Sequence, residues 1–346
     1  MRLTSPQYQH MTDYLRRLYD VPVYERHGVP HPIVWHRATD DQRNTPDRIF
    51  GTAPRRTINR DDCEIYDYGY LQTLQNSKRN LFNGTTFALK RFVPRTLRID
   101  ANFGTYFDAI ATSYALENEI IQAQSRTRGA LRLPLRTQYH RAIPARESLT
   151  SGTGRSAPLG GGTLIVYNQR GTYHALVNQR GSQQAARPNA LHVLPAYIVQ
   201  PMGTTMHPRE WSITHHLYRE FLEELFGLPE SDTITYEHPA LDDYQQMQAE
   251  GLAQVYLLGV SFNLMTLRVE ISTLMLIRDP QWWERVNTAD TPLTLDLTES
   301  DRLLPVPLSD DDAILNQLPD AYYLNMPPQA LTTLWAGIDL ARDLLS

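Results

Sequence analysis

Cysteine is nearly missing from this chain. Cys63 is the single one among 346 residues, which excludes an internal disulfide and a cysteine-built zinc cluster and agrees with a reducing compartment. As a nucleophile Cys63 has poor support, because Asp61, Asp62 and Glu64 surround it and disfavour a thiolate. Lysine is scarce as well: only Lys78 and Lys90 occur, so arginine carries almost all of the positive charge. No apolar run approaches the roughly 20 residues that a membrane-spanning helix requires, and the N-terminus lacks the charged-then-apolar order of a secretory signal. These absences predict a cytoplasmic protein without a membrane partner.

What is present is enough for a sizeable core. At 346 residues and 41% hydrophobic content, the length predicts two domains rather than one. The net charge of −5 hides an asymmetry. Residues 1–150 hold 22 Lys+Arg against 15 Asp+Glu, an excess of +7, whereas the remainder holds 11 against 23, or −12. The sign change falls near residues 148–162 (SLTSGTGRSAPLGGG), whose Gly, Ser and Pro content reads as a linker, with Gly160-Gly161-Gly162 as a hinge. The basic half could attract nucleic acid, but the excess is spread along the sequence and the two halves could equally dock on one another.

In the first half, residues 5–18 read as a helix with Ser5 as N-cap and Pro6 at its first position. Residues 21–67 show no periodicity. Residues 88–99 alternate well enough for one or two strands, leaving Arg91, Arg95 and Arg98 on a solvated face. Residues 106–124 are the strongest helix of this half and are expected to supply its core.

The second half opens with a hairpin, 163–167 and 173–178 around Asn168-Gln169-Arg170-Gly171, followed by a strand at 190–199. Next comes a helix at 211–226. Ile213, Leu217, Phe221 and Leu225 recur every fourth residue along it and define its buried side. Glu220, Glu223 and Glu224, spaced i, i+3 and i+4, project from neighbouring turns and would repel one another without a cation between them. A divalent metal is the candidate, since hard cations take carboxylate oxygens and bridge to phosphate. The bland alternative is a solvated charged face. Beyond lie a short helix at 239–249, two β-rich runs at 253–264 and 267–277, a short helix opened by Trp282-Trp283, and a closing helix at 329–345. Glu270 sits in the second β-rich run, where an inward carboxylate needs a partner.

Arg219-Glu220-Phe221-Leu222-Glu223-Glu224, with Gly203, Glu210 and Gly227-Leu228 around it, resembles the Nudix box. Each of the three flanking spacings is one residue longer than in the family pattern. Leu194-Pro195-Ala196 resembles the Leu-Pro-Gly found just before that box, and the order hairpin, strand, loop, helix is the order Nudix domains show. The resemblance implies an α/β fold: a Nudix-like α/β/α sandwich with a mixed sheet over residues 155–346, preceded by a smaller α+β domain over residues 1–150.

It further implies Mg²⁺ or Mn²⁺ held by Glu220, Glu223 and Glu224. Arg219 would orient the glutamates, and Glu270 would serve as further ligand or base, with Glu250 the alternative. His207, His215 and His216 flank the helix, and His216 could orient a carboxylate. The implied activity is hydrolysis of a phosphoanhydride in a nucleoside diphosphate-linked substrate. The competing expectation is a catalytically inactive Nudix-fold nucleotide sensor or interaction module. A homodimer stays open.

Overall fold

The computed structural model describes residues 3–77, 81–126, 131–181, 190–203, 206–229, 236–289, 291–297 and 300–346. The first half supplies helix α1 (Ser5–Tyr19), strand β1 (Ile33–Arg37), strands β2 (Thr85–Val93) and β3 (Arg98–Thr105), and helices α2 (Ala115–Arg126) and α3 (Pro134–Ala142). The second supplies β4 (Gly160–Gln169), β5 (Thr172–Arg180), β6 (Leu191–Val193), β7 (Ala196–Ile198), α4 (Ile213–Phe226), α5 (Pro239–Ala249), β8 (Ala253–Asn263), β9 (Arg268–Ile277), α6 (Trp282–Val286), β10 (Ser300–Pro307) and α7 (Pro328–Leu345).

Local chemistry sets several boundaries. Thr4, not Ser5, caps α1, and Gln7 accepts from its N–H at 2.9 Å. The strand expected over 190–199 is two short strands, because Pro195 cannot donate to a ladder and splits it. The helix expected over 106–124 runs through a single π-helical turn at Ile110–Tyr114 before α2 begins.

The main sheet runs in the order β10–β5–β4–β9–β8–β1, with β6 added to β5 and β7 to β4. One neighbouring pair is parallel: β9 lies against β4 with Glu270 opposite Gly160 and Ile277 opposite Tyr167. The other pairs are antiparallel, so the α/β class and the mixed sheet are both observed. Alternation sorts the side chains to two cores. Ile165, Tyr167, Met275 and Ile277 join the core of α4, whereas Leu164, Val166, Leu274 and Leu276 meet Leu331, Leu334 and Ile338 of α7. Helices α4 and α7 therefore cover opposite faces.

Residues 148–162 are not a linker. Arg155, Ser156, Ala157 and Leu159 are fully buried, Leu89 donates to the Ala157 carbonyl and Leu159 donates to that of Phe87, each at 2.8 Å. The small residues permit close packing, since a Cβ on Gly152 would lie 1.7 Å from the Leu89 carbonyl oxygen. Nor is the triple glycine a hinge: it is the first stretch of β4, paired on both sides by β9 and β7. The boundary expected near residue 150 is crossed by a single apolar core containing Leu15, Leu116 and Ile120 together with Leu257 and Phe262. Strand β1 comes from the segment that showed no periodicity, and pairs with β8 at the sheet edge.

Three buried arginines fasten the layers at the β8–β9 turn. Arg136 on α3 donates to the carbonyls of Leu264 (3.0 Å), Met265 (2.6 Å) and Leu116 (3.3 Å) and to the Tyr19 hydroxyl. Arg155 donates to the carbonyls of Leu267 and Ser148, both at 2.9 Å, and to the Tyr139 hydroxyl. Arg268, at the start of β9, donates to Pro158 O at 2.9 Å and to the Tyr114 hydroxyl. A hydrogen bond from a charged donor contributes about 1.5–3 kcal/mol, and a buried acceptor left bare costs a similar amount. Arg136→Met, which keeps the volume, is therefore expected to lose at least about 3 kcal/mol in urea unfolding; a midpoint matching the parent chain would show that these bonds carry nothing.

Candidate functional site

Helix α4 is positioned from both ends. Ser212 caps it by accepting from His215 N at 3.1 Å, which moves its start from the expected residue 211 to Ile213. Gly227 ends it with φ +64°, letting Leu228 N reach the Leu222 carbonyl at 3.2 Å. Ile213, Leu217, Phe221 and Leu225 are fully buried, as the periodicity predicts.

The N-terminus of α4 is occupied by a carboxylate from the first half. One Asp47 oxygen accepts from Ile213 N, from Thr214 N at 3.1 Å and from Ser212 Oγ at 3.0 Å, and the other accepts from Thr214 Oγ1 at 2.8 Å. This satisfies the free N–H groups of the first turn and complements the helix dipole. Sequence reading missed Asp47 entirely. Upstream, Glu210 is buried, and its carboxylate accepts from Met202 N and His207 N. It thereby ties Met202 to His207. His216 Nε2 contacts the Glu210 carbonyl at 2.7 Å. Burial, then the charge of Arg219, hold the His216 imidazole well below its ordinary pKa.

The acidic side chains of α4 neither fan into bulk water nor surround an open position. Arg219 lies among them with its side chain only 5% exposed, pairs with Glu220, and approaches Glu223 at 3.8 Å. Burial works against its charge, but Glu220 and Glu223 outweigh that and keep the guanidinium firmly protonated. Glu224 turns the other way, accepting from Ala196 N at 3.4 Å at the start of β7. The helix thus touches the Leu194-Pro195-Ala196 corner.

Glu270 is elsewhere. It shares its side of β9 with Ser272, which bonds Thr333 of α7 at 2.8 Å, and with Leu274. Glu270 therefore lies on the α7 face, across the sheet from α4. Its partner is Arg268, at 3.4 Å. Burial pushes its carboxyl above the ordinary range, and Arg268 reverses that only in part. Glu250 is exposed at the end of α5 and accepts from Gln246 at 2.9 Å. Among the described residues, no group of three or more His, Cys, Asp or Glu side chains is placed to hold a metal ion.

The other sequence candidates are structural. Trp282 is buried and Trp283 stacks on Tyr167 at 4.3 Å. Arg91, Arg95 and Arg98 are exposed, and Arg98 pairs with Asp100. A cleft of about 1390 Å³ lies between α1, α2 and the Tyr106–Tyr114 segment on one side and Arg268, Glu270 and the start of α7 on the other. It does not include the α4 glutamates. No protein-family model matches this chain, and no curated protein matches it either.

Two outcomes follow from this geometry. Asp47→Ala removes the acceptor for the first turn of α4 and should cost about 1 kcal/mol or more, read from thermal or urea unfolding; no change would deny the cap its role. Acid should weaken the fold. Burial lowers His31 to about 4 and holds His216 well below 6.5. The unfolded chain therefore binds protons that the folded chain refuses. Stability is complete above about pH 6.5 and falls as pH drops towards 4, by up to about 1.4 kcal/mol per pH unit for each histidine. Flat unfolding free energy between pH 7 and 4.5 would contradict this.

Proposed function

We propose that the chain is a ligand-binding module on a Nudix-like scaffold, taking a nucleotide-type small molecule without a resident metal. One observation carries the reading: Arg219 pairs with two of the three α4 glutamates that would hold the ion, and Glu270, the expected further ligand or base, lies across the sheet with an arginine of its own. Glu220 and Glu223 lie with Arg219 on the α4 face, and Glu270 lies with Arg268 on the α7 face. Exchanging these partners for Mg²⁺ or Mn²⁺ would cost the buried guanidiniums of Arg219 and Arg268 their ion pairs, a loss of several kcal/mol. The donor set therefore does not fit the ion that the box resemblance implies.

The Nudix-like half of the reading is supported by the contact between Glu224 and Ala196, which joins the two stretches that resemble the family, and by helices on both faces of a mixed sheet. A cleft of this volume is ample for a nucleotide. The metal-dependent hydrolase is the second reading. It is favoured by the placement of Glu220 and Glu223 on one side of α4, each 15% exposed, with Arg219 beside both.

Calorimetry with nucleoside triphosphates, dinucleotides and nucleotide sugars, in Mg²⁺ or Mn²⁺ and again in EDTA, separates the two. Saturable binding of similar affinity in both conditions, with no release of phosphate or nucleoside monophosphate, is expected. Metal-dependent turnover that is lost in Glu223→Gln would establish the hydrolase instead.

A further inference from the structure

The floor of the cleft is built around an unusual use of glycine. Glu270 is only 6% exposed, and one of its oxygens lies where a side chain on Gly160 would be: a Cβ there would come within 1.7 Å of Glu270 Oε2. The absence of a side chain at residue 160 allows the carboxylate to lie flat along the strand and border the cleft. Arg268 is held beside it by Pro158 O and the Tyr114 hydroxyl, with its guanidinium carbon 5.0 Å from the centre of the Tyr114 ring. The two side chains present a pair of adjacent acceptors next to a rigid donor.

We infer that this floor recognises a neutral planar heterocycle with two neighbouring N–H donors followed by a carbonyl, the edge that guanine and pterins share. This deepens the ligand-module reading and rests on it. At this pair the two charges offset: Arg268 balances Glu270, so a cation placed there would face the guanidinium and an anion the carboxylate. A neutral donor–donor–acceptor edge meets both partners at once, with donors to Glu270 and carbonyl to Arg268. Aromatic faces are at hand, because Tyr70, Tyr106 and Tyr114 line the same cleft, the last two with ring centres 6.4 Å apart and planes at 68°. The volume leaves room for a sugar or side chain carried by the ring.

Titration of the full chain with guanosine, pterin, inosine and adenosine tests this. Guanosine and pterin should bind saturably, and whichever binds more tightly identifies the source of the edge. Inosine, which lacks the exocyclic amine, should bind at least about tenfold more weakly than guanosine, and adenosine, whose edge is inverted, more weakly still. Glu270→Gln should weaken guanosine at least about tenfold. Gly160→Ala, which displaces the carboxylate without changing its charge, should act in the same direction. The inosine comparison needs no variant and so does not depend on either folding. Adenosine binding as tightly as guanosine, guanosine binding indifferent to Glu270→Gln in a folded variant, or no binding by any of the four probes would overturn the inference. Binding without edge preference leaves the ligand-module reading standing, whereas metal-dependent turnover of a nucleotide overturns that reading and leaves the edge preference measurable.

Discussion

The molecule depends on charged groups buried against carbonyl oxygens at one tight turn. Arg136 and Arg155 come from outside the β8–β9 hairpin, yet both end at the backbone of Leu264–Leu267. Burying a guanidinium is expensive unless its donors are matched, and here carbonyls and tyrosine hydroxyls match the terminal nitrogens, while the Nε of each arginine is buried without a partner. Arginine suits this position because its planar fork reaches several acceptors at once, which a lysine ammonium cannot do in the same geometry. The result is directional: apolar packing between the helical layer and the sheet would tolerate sliding, whereas bonds to particular carbonyls allow one placement. The specificity of the docking lies in these few buried contacts.

A second constraint runs along Gly160-Gly161-Gly162. Two of the three glycines give up their side-chain space to a neighbour. Glu270 and Arg268 use the space at Gly160, and the Tyr197 ring that at Gly161, where a Cβ would fall 2.3 Å from the ring. Glycine is costly in a strand interior, and three in succession need a reason. The reason is that β4 lies between two strands whose large side chains fold back over it on opposite faces. In this chain low complexity marks crowding, the reverse of flexibility.

That reversal explains much of what the sequence could and could not reveal. Periodic segments were legible: the α4 stripe, the β8–β9 pair, the hairpin around Arg170-Gly171 and the closing helix all depend on local alternation. The run 148–162 was misread because composition reports the absence of side chains and not what fills the space. Strand β1 was illegible because its partner β8 lies more than 200 residues away. At the site, the spacing of Glu220, Glu223 and Glu224 placed them on neighbouring turns with Arg219 four residues before Glu223, but no local rule reveals that Glu270 emerges on the far face. Face assignment follows from strand register, and β9 takes its register from pairing with β4. Asp47 escaped notice because a capping acid distant in sequence leaves no periodic trace.

The carboxylate at the start of α4 has a wider consequence. A helix beginning is an inviting berth for inorganic phosphate or the tail of a nucleotide. Here a tethered acid holds that berth at an effective concentration on the order of millimolar or higher, set by the chain itself and independent of what the surroundings contain. A free anion must outcompete a resident that never diffuses away. The first half of the chain thereby fills this helix end with an acid of its own.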